Sequence, residues 1–275
     1  DRCLLWWTIN RKSKKMTNKY YTVDFKPDMI KGDVSNFIAS NKADAPFAAD
    51  DVLFNWHAVQ IPKGASKITS ITAVIRGEDG GVQANARDIN FYFAKSIDGV
   101  APGDLGTVNA TADGIKFANN LLGTLKLDAG DWMVGLDTLN VATTITGTGG
   151  KSSANIVVEG EPNSGTTAGY NTLYVAAITG GSLDFSSGML ADGAQTLGLA
   201  ATATTGVVVK TVLATSVCEP GDILYVHDVD TALGTVSEVI DGTHIKLTAV
   251  SAAAIADEDE IVNATPIRVI LSLEK

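Results

Sequence analysis

Only two cysteines, Cys3 and Cys218, occur in the 275 residues, and they stand far apart. No C-x-x-C is present, which excludes a cysteine-based zinc site. Cys3 lies in a segment that reads as foreign to the fold, which argues against a disulfide, and Cys218 reads as a small buried hydrophobe. No apolar run approaches the roughly 20 residues of a membrane-spanning helix. Aromatic residues make up 7% of the chain and are scattered, which speaks against a groove of stacking platforms. Basic residues are outnumbered, 21 against 31 acidic, for a net charge of −10. Such a surface repels phosphate and disfavours nucleic-acid binding through a charged groove. Convincing helices are missing too. The best helical candidate is the short stretch SAAAIADEDEI (251–261), and nothing longer combines a 3.6-residue period with caps.

What the chain has instead is 27 glycines and many Thr, Ala and Val residues, the composition of short strands joined by turns. YYTVDF (20–25) alternates as a strand. DDVLFNWHAVQIPKGA predicts a strand with Leu53, Asn55 and His57 on one face, Phe54, Trp56 and Ala58 on the other, closed by Pro62 and Gly64. The run from Lys67 to Gly99 reads as a hairpin turning at GEDGG (77–81), with Phe91 and Phe93 sharing a face of the return strand. LLGTLKLDAGDWMVGL reads as strand, turn, strand, and NIVVEGEPNSG and NTLYVAAITGG add two more. Regularly spaced strands punctuated by glycine argue for an all-β fold, an antiparallel β-sandwich or jelly roll. A smaller C-terminal β-barrel-like module follows a small-residue stretch.

The expected organisation is therefore a β-sandwich over 16–205 and a small β module over 206–275, whose last strand is free to return to the main sheet. Residues 1–15 carry Arg2, Arg11, Lys12, Lys14 and Lys15. Their order, apolar first and charged after, is not that of a signal peptide. They read as a translated upstream region with Met16 as the true start, the alternative being a basic N-terminal arm. On the first reading no export signal is left.

The chemistry-bearing candidates are few. TGTGGKS (146–152) ends like a phosphate-binding loop at Gly150, Lys151 and Ser152, but Ile145 stands where the first glycine belongs and a strand follows rather than a helix. Asp228 and Asp230 open like a calcium loop, yet Ala232, Leu233 and Val239 occupy its next required positions. His227 and His244 leave a two-histidine metal site conceivable across a hairpin, though histidines in strands and turns are more often satisfied surface residues. Asp257 to Glu260 form a carboxylate run best read as a solvated turn. His57 beside Trp56 suggests a sugar platform, against the plainer role of a strand residue with its ring on a polar face. No G-x-S-x-G and no suitably spaced Cys/His pair is present, and the acidic residues are too numerous for one pair to stand out as a glycosidase dyad. No catalytic, cofactor-binding or metal-binding residue is assigned, and no cofactor is expected.

One stretch points to a family. Gly221-Asp222-Ile223-Leu224-Tyr225, then Gly234-Thr235-Val236 with Val239, then Thr243, Ile245, Leu247 and Thr248 resemble a β module of virion structural proteins in tailed bacteriophages. RDINFYFAKSIDGVAPGDLGTVNATADG and VVEGEPNSGTTAGY are similar to structural proteins of marine and cyanobacterial phages. The resemblance implies no catalytic residues. It implies a virion protein assembled in the host cytoplasm, most simply a capsid decoration or cement protein. Its partners would be the major capsid protein and copies of itself, in a symmetric oligomer such as a trimer, with neither nucleic acid nor membrane. A tail or baseplate component is the alternative, and a carbohydrate-binding jelly-roll module the reading from another class.

Overall fold

The computed structural model describes residues 20–27, 29, 46–76, 87–113, 115–133, 136, 139–144, 154–185, 189–193, 195–196, 207–211, 217–226, 229–248 and 254–275. The chain is all-β, and every strand pair among the described residues is antiparallel.

The first sheet runs in the order β1 (Tyr20–Phe25), β18 (Ile267–Glu274), β3 (Ser66–Arg76), β7 (Leu139–Thr143), β6 (Trp132–Met133), with β8 (Ile156–Val158) also paired to β3. The second runs β2 (Val52–Pro62), β10 (Tyr170–Thr179), β4 (Ile89–Ala94), β5 (Leu121–Leu127), with β9 (Glu161–Pro162) on β10. Their inner faces share one apolar core. Ile68, Ile71, Ala73 and Ile75 of β3 and Val269, Leu271 and Leu273 of β18 are buried with Phe54, Phe91, Phe93, Leu173 and Val175 of the other sheet. This is the sandwich expected from alternating strands. The C-terminal strand lies in its first sheet, hydrogen-bonded to β1 on one side and β3 on the other.

A second core is built from β12 (Val207–Lys210), β15 (His244–Thr248), β14 (Val229–Val239), β13 (Ile223–Val226) and β17 (Ile261–Asn263), in that pairing order. The segment from Met189 onward joins the two ends. Ala191 bridges Thr211 beside β12, Leu190 bridges Glu260 beside β17, and β11 (Gln195–Thr196) extends the pairing onto β16 (Ala254–Ile255). The circuit closes as in a small barrel, which removes most of its open edge. Met189, Ala191, Leu224, Val226, Leu233, Val236, Ile245, Leu247 and Ile261 fill it, with Cys218.

Strand β13 serves both cores. Leu224 and Val226 point into the second, while Ile223 and Tyr225 are half-buried against the first. Successive side chains of a strand face opposite ways. The unbroken apolar run ILYV is thus a strand covered on both faces.

Several sequence expectations are corrected. β3 and β4 are strands, but they do not form a hairpin: β3 pairs in the first sheet and β4 in the second. Both strands bury an apolar face in the same core, one from each sheet. The turn at GEDGG lies outside the described residues. LLGTLKLDAGDWMVGL is the strand, turn and strand expected, β5 and β6 flanking a 3-10 segment at Ala129–Asp131, and the two strands go to different sheets. On β2 the face assignment slips. Val175 pairs with His57 but Ala177 with Phe54, so β2 carries an extra residue there. Past this bulge the core is filled by Val59 and Ile61, and Ala58 is exposed. The helical candidate 251–261 is extended where described: β16, a turn, and the approach to β17. Ile255 and Ile261 are claimed by the second core, and tertiary burial overrides a short run of helix-forming alanines.

Candidate functional site

Among the described residues, the sequence-derived candidates do not assemble into one site. His227 and Asp228 lie outside the described residues, as do Gly150, Lys151 and Ser152; Asp230 falls within β14. His244 opens β15, and its Nδ1 stands 2.9 Å from Asp241 Oδ1. Asp241 also accepts the Thr243 backbone N–H at 2.8 Å. That bond first, and His244 second, holds the Asp241 carboxyl down at about 2. These contacts make a closed polar turn. Among the described residues no group of three or more His, Cys, Asp and Glu side chains could hold a metal ion.

The carboxylate run is a turn as well. Asp259 accepts the Ala256 N–H at 2.6 Å and Asp257 the Gly193 N–H at 2.7 Å, while Glu258 takes a left-handed φ of 64°. Its acids satisfy backbone donors at the β16–β17 connection. Trp56 and His57 are no platform. Trp56 is buried, its Nε1 donates to the Gly103 carbonyl at 2.8 Å, and Phe117 meets it edge-on. The His57 ring stacks on Phe25 with centroids 4.8 Å apart.

Two features that sequence reasoning passed over carry more organisation. The first joins the two cores. Asp222 is fully buried and accepts from Lys26 Nζ at 2.6 Å, Asn263 Nδ2 at 2.8 Å and the Glu219 backbone N–H at 2.9 Å. Glu219 bridges Lys26 at 2.8 Å and Arg76 at 2.9 Å. Burial raises the Glu219 pKa, but the Lys26 hydrogen bond and the Arg76 and Lys26 charges outweigh it, and the carboxyl lies below its ordinary range. A cavity of about 170 Å³ beside this cluster is lined by Lys26, Arg76 and Arg268. Each of these cations already faces a carboxylate, Arg268 pairing with Asp24 at 2.8 Å. The cluster is a fastener and not an anion site. The sequence signal, Glu219-Pro220-Gly221-Asp222, reads only as a turn, because its partners lie far away at Lys26 and Arg76.

The second feature is a polar cleft of about 400 Å³ on the outer face of the second sheet, where β2, β9 and β10 meet the 96–99 turn. Asp98 and Gly99 both have positive φ, 53° and 77°, between the bridged residues Ile97 and Val100. That is the two-residue turn for which Asp-Gly is suited. The Gly99 N–H donates to Glu161 Oε2 at 3.0 Å. A hydrogen bond from Ser96 first, and Gly99 second, keeps the Glu161 carboxyl below its usual range. Gly160 lets β9 close on β10, since a Cβ there would stand 2.0 Å from the Thr172 carbonyl oxygen.

No known protein family, curated protein or solved structure matches the chain.

Proposed function

We propose that this protein is a virion structural component of a tailed bacteriophage, a decoration or cement protein that stabilises the head shell through assembly contacts. The observation that carries the reading is the stretch from Gly221 to Thr248. The residues that resemble the phage module supply β13, β14 and β15, and their side chains Leu224, Val236, Ile245 and Leu247 are buried together in one core. The pattern therefore corresponds to a folded unit and not to a chance string of turns.

Two further features suit a role in assembly. Among the described residues β1 ends the pairing order of the first sheet, and its Tyr20 is 71% exposed; an outermost strand is a natural place for another chain to add. The net charge of −10 keeps copies soluble before assembly and leaves a solvent-facing acidic surface afterwards. A protein that binds only the assembled lattice stabilises it by mass action.

The test uses purified expanded heads of the phage that encodes the chain. The protein should co-sediment with them and raise their melting temperature, and its native mass should show a symmetric oligomer such as a trimer. Co-sedimentation with isolated tails alone would move the assignment to a tail or baseplate component. Binding to neither particle would overturn it.

A further inference from the structure

From the cleft on the second sheet we infer that the protein binds a neutral carbohydrate, a role separate from shell assembly. The lining is hydrogen-bonding and almost uncharged. Asn163 donates through Nδ2 to Gln60 Oε1, Gln60 Nε2 donates to Thr172 Oγ1 at 3.2 Å, and Thr172 Oγ1 donates to Asn163 Oδ1 at 2.8 Å. The three side chains hold one another in a ring, so their orientation is set before any ligand arrives. A primary amide has two N–H donors and a carbonyl with two lone pairs. The ring uses one N–H of each amide, and each keeps a second N–H to offer. Paired donors and acceptors at fixed spacing match adjacent sugar hydroxyls, each of which both donates and accepts.

The rest of the cleft fits the same ligand. Glu161 is locked by Ser96 and by the Gly99 N–H, and an ionised carboxylate is a strong acceptor for hydroxyl pairs. Tyr174 contributes a half-buried ring to the wall, an apolar surface with a polar tip suited to the C–H face of a sugar. The competing ligand classes fit worse. No lining residue is basic, so the one charge that phosphate or sulfate would meet is the like charge of Glu161. Pro162 and Tyr174 are the main apolar contributions, too little for a lipid or drug-like ligand. A lone carboxylate is too few ligands for a divalent cation. The volume lies within the range of small-molecule sites.

The test titrates the ¹⁵N-labelled full chain with maltose, cellobiose, N-acetylchitobiose and mannobiose at millimolar concentrations, following amide shifts. At least one disaccharide should bind saturably and shift resonances of β9, β10 and the 96–99 turn. Tyr174→Ala and Asn163→Ala should each weaken that binding at least tenfold, with melting curves showing that both variants still fold. Tyr20→Ala, on β1, should leave it unchanged. The inference is overturned if none of the four sugars shifts these resonances, or if binding survives unchanged in both cleft variants. Capsid binding is read in a different assay, so failure of one result leaves the other standing.

Discussion

At the scale of single residues, two buried groups in one turn show how charge is managed. Asp222 is fully enclosed and tolerated because Lys26, Asn263 and a backbone N–H all point at it. Removing it takes one acceptor from Lys26, which keeps Glu219, and one from the Asn263 amide, which keeps the Val217 carbonyl. Losing a buried hydrogen-bond partner in this way costs about 1–3 kcal/mol. Asp222→Ala should lose that much in urea denaturation, and Asp222→Asn, which keeps the shape, should lose less; a change under about 1 kcal/mol for Asp222→Ala would mean that the pair has no net worth. Four residues earlier in the chain, Cys218 is buried against the same cluster. Burial first, and the Asp222 charge second, pushes its thiol up to about 12 from 9.0. The fold therefore favours the protonated thiol. That stability is fully present below pH 9 and is lost as pH rises through about 12, a span worth up to roughly 4 kcal/mol. Wild type should thus lose more stability than Cys218→Ala between those limits, since tyrosine and lysine titrations are common to both. Equal alkaline losses in the two proteins would show that the thiol does not contribute.

At the scale of elements, local pattern identified strands and failed to say where they go. Phe91 and Phe93 are buried as their alternation required, and β1 and β10 stand where theirs placed them. Sheet membership was illegible for β3 and β4, because each sheet turns one face to the same core and both leave the same period-2 signature. Distinguishing a hairpin from a crossing needs the partner strands, here β18 and β10, which lie far off in sequence. β2 was misread for a different reason. Its bulge inserts one residue, and from there the inward positions change parity. The run ILYV carried a usable signal, since a short unbroken apolar run is the mark of a strand covered on both sides. The cleft was the least legible. Gln60, Glu161 and Thr172 come from three strands and Asn163 from the connection after β9, and ordinary polar residues gain meaning only when the fold brings them together. Glu161 and its neighbours did stand inside VVEGEPNSGTTAGY, a segment noticed for its resemblance and not for its chemistry.

At the scale of the molecule, the question is whether two cores mean two independent units. Three connections say otherwise. β13 gives Leu224 and Val226 to one core and Ile223 and Tyr225 to the other. Lys26 and Arg76, at the ends of β1 and β3, are tied to Glu219 and Asp222 in the turn before β13. The chain leaves β17 and enters the middle of the first sheet as β18, with the connector pinned by bonds from Ala264 N–H to the Ile223 carbonyl and from Arg76 N–H to the Pro266 carbonyl. Opening the second core frees one face of β13, strips cover from the first core and slackens the anchor of β18. Unfolding should therefore be a single event. Leu271 of β18 and Leu247 of β15 are both fully buried, one in each core, and truncating a buried leucine to alanine costs about 2–5 kcal/mol. In calorimetry the wild type should show one transition, and Leu271→Ala and Leu247→Ala should each move the whole of it downward by several degrees. Two resolved transitions, with Leu247→Ala shifting only one, would show that the shared strand and the ion cluster do not couple the cores.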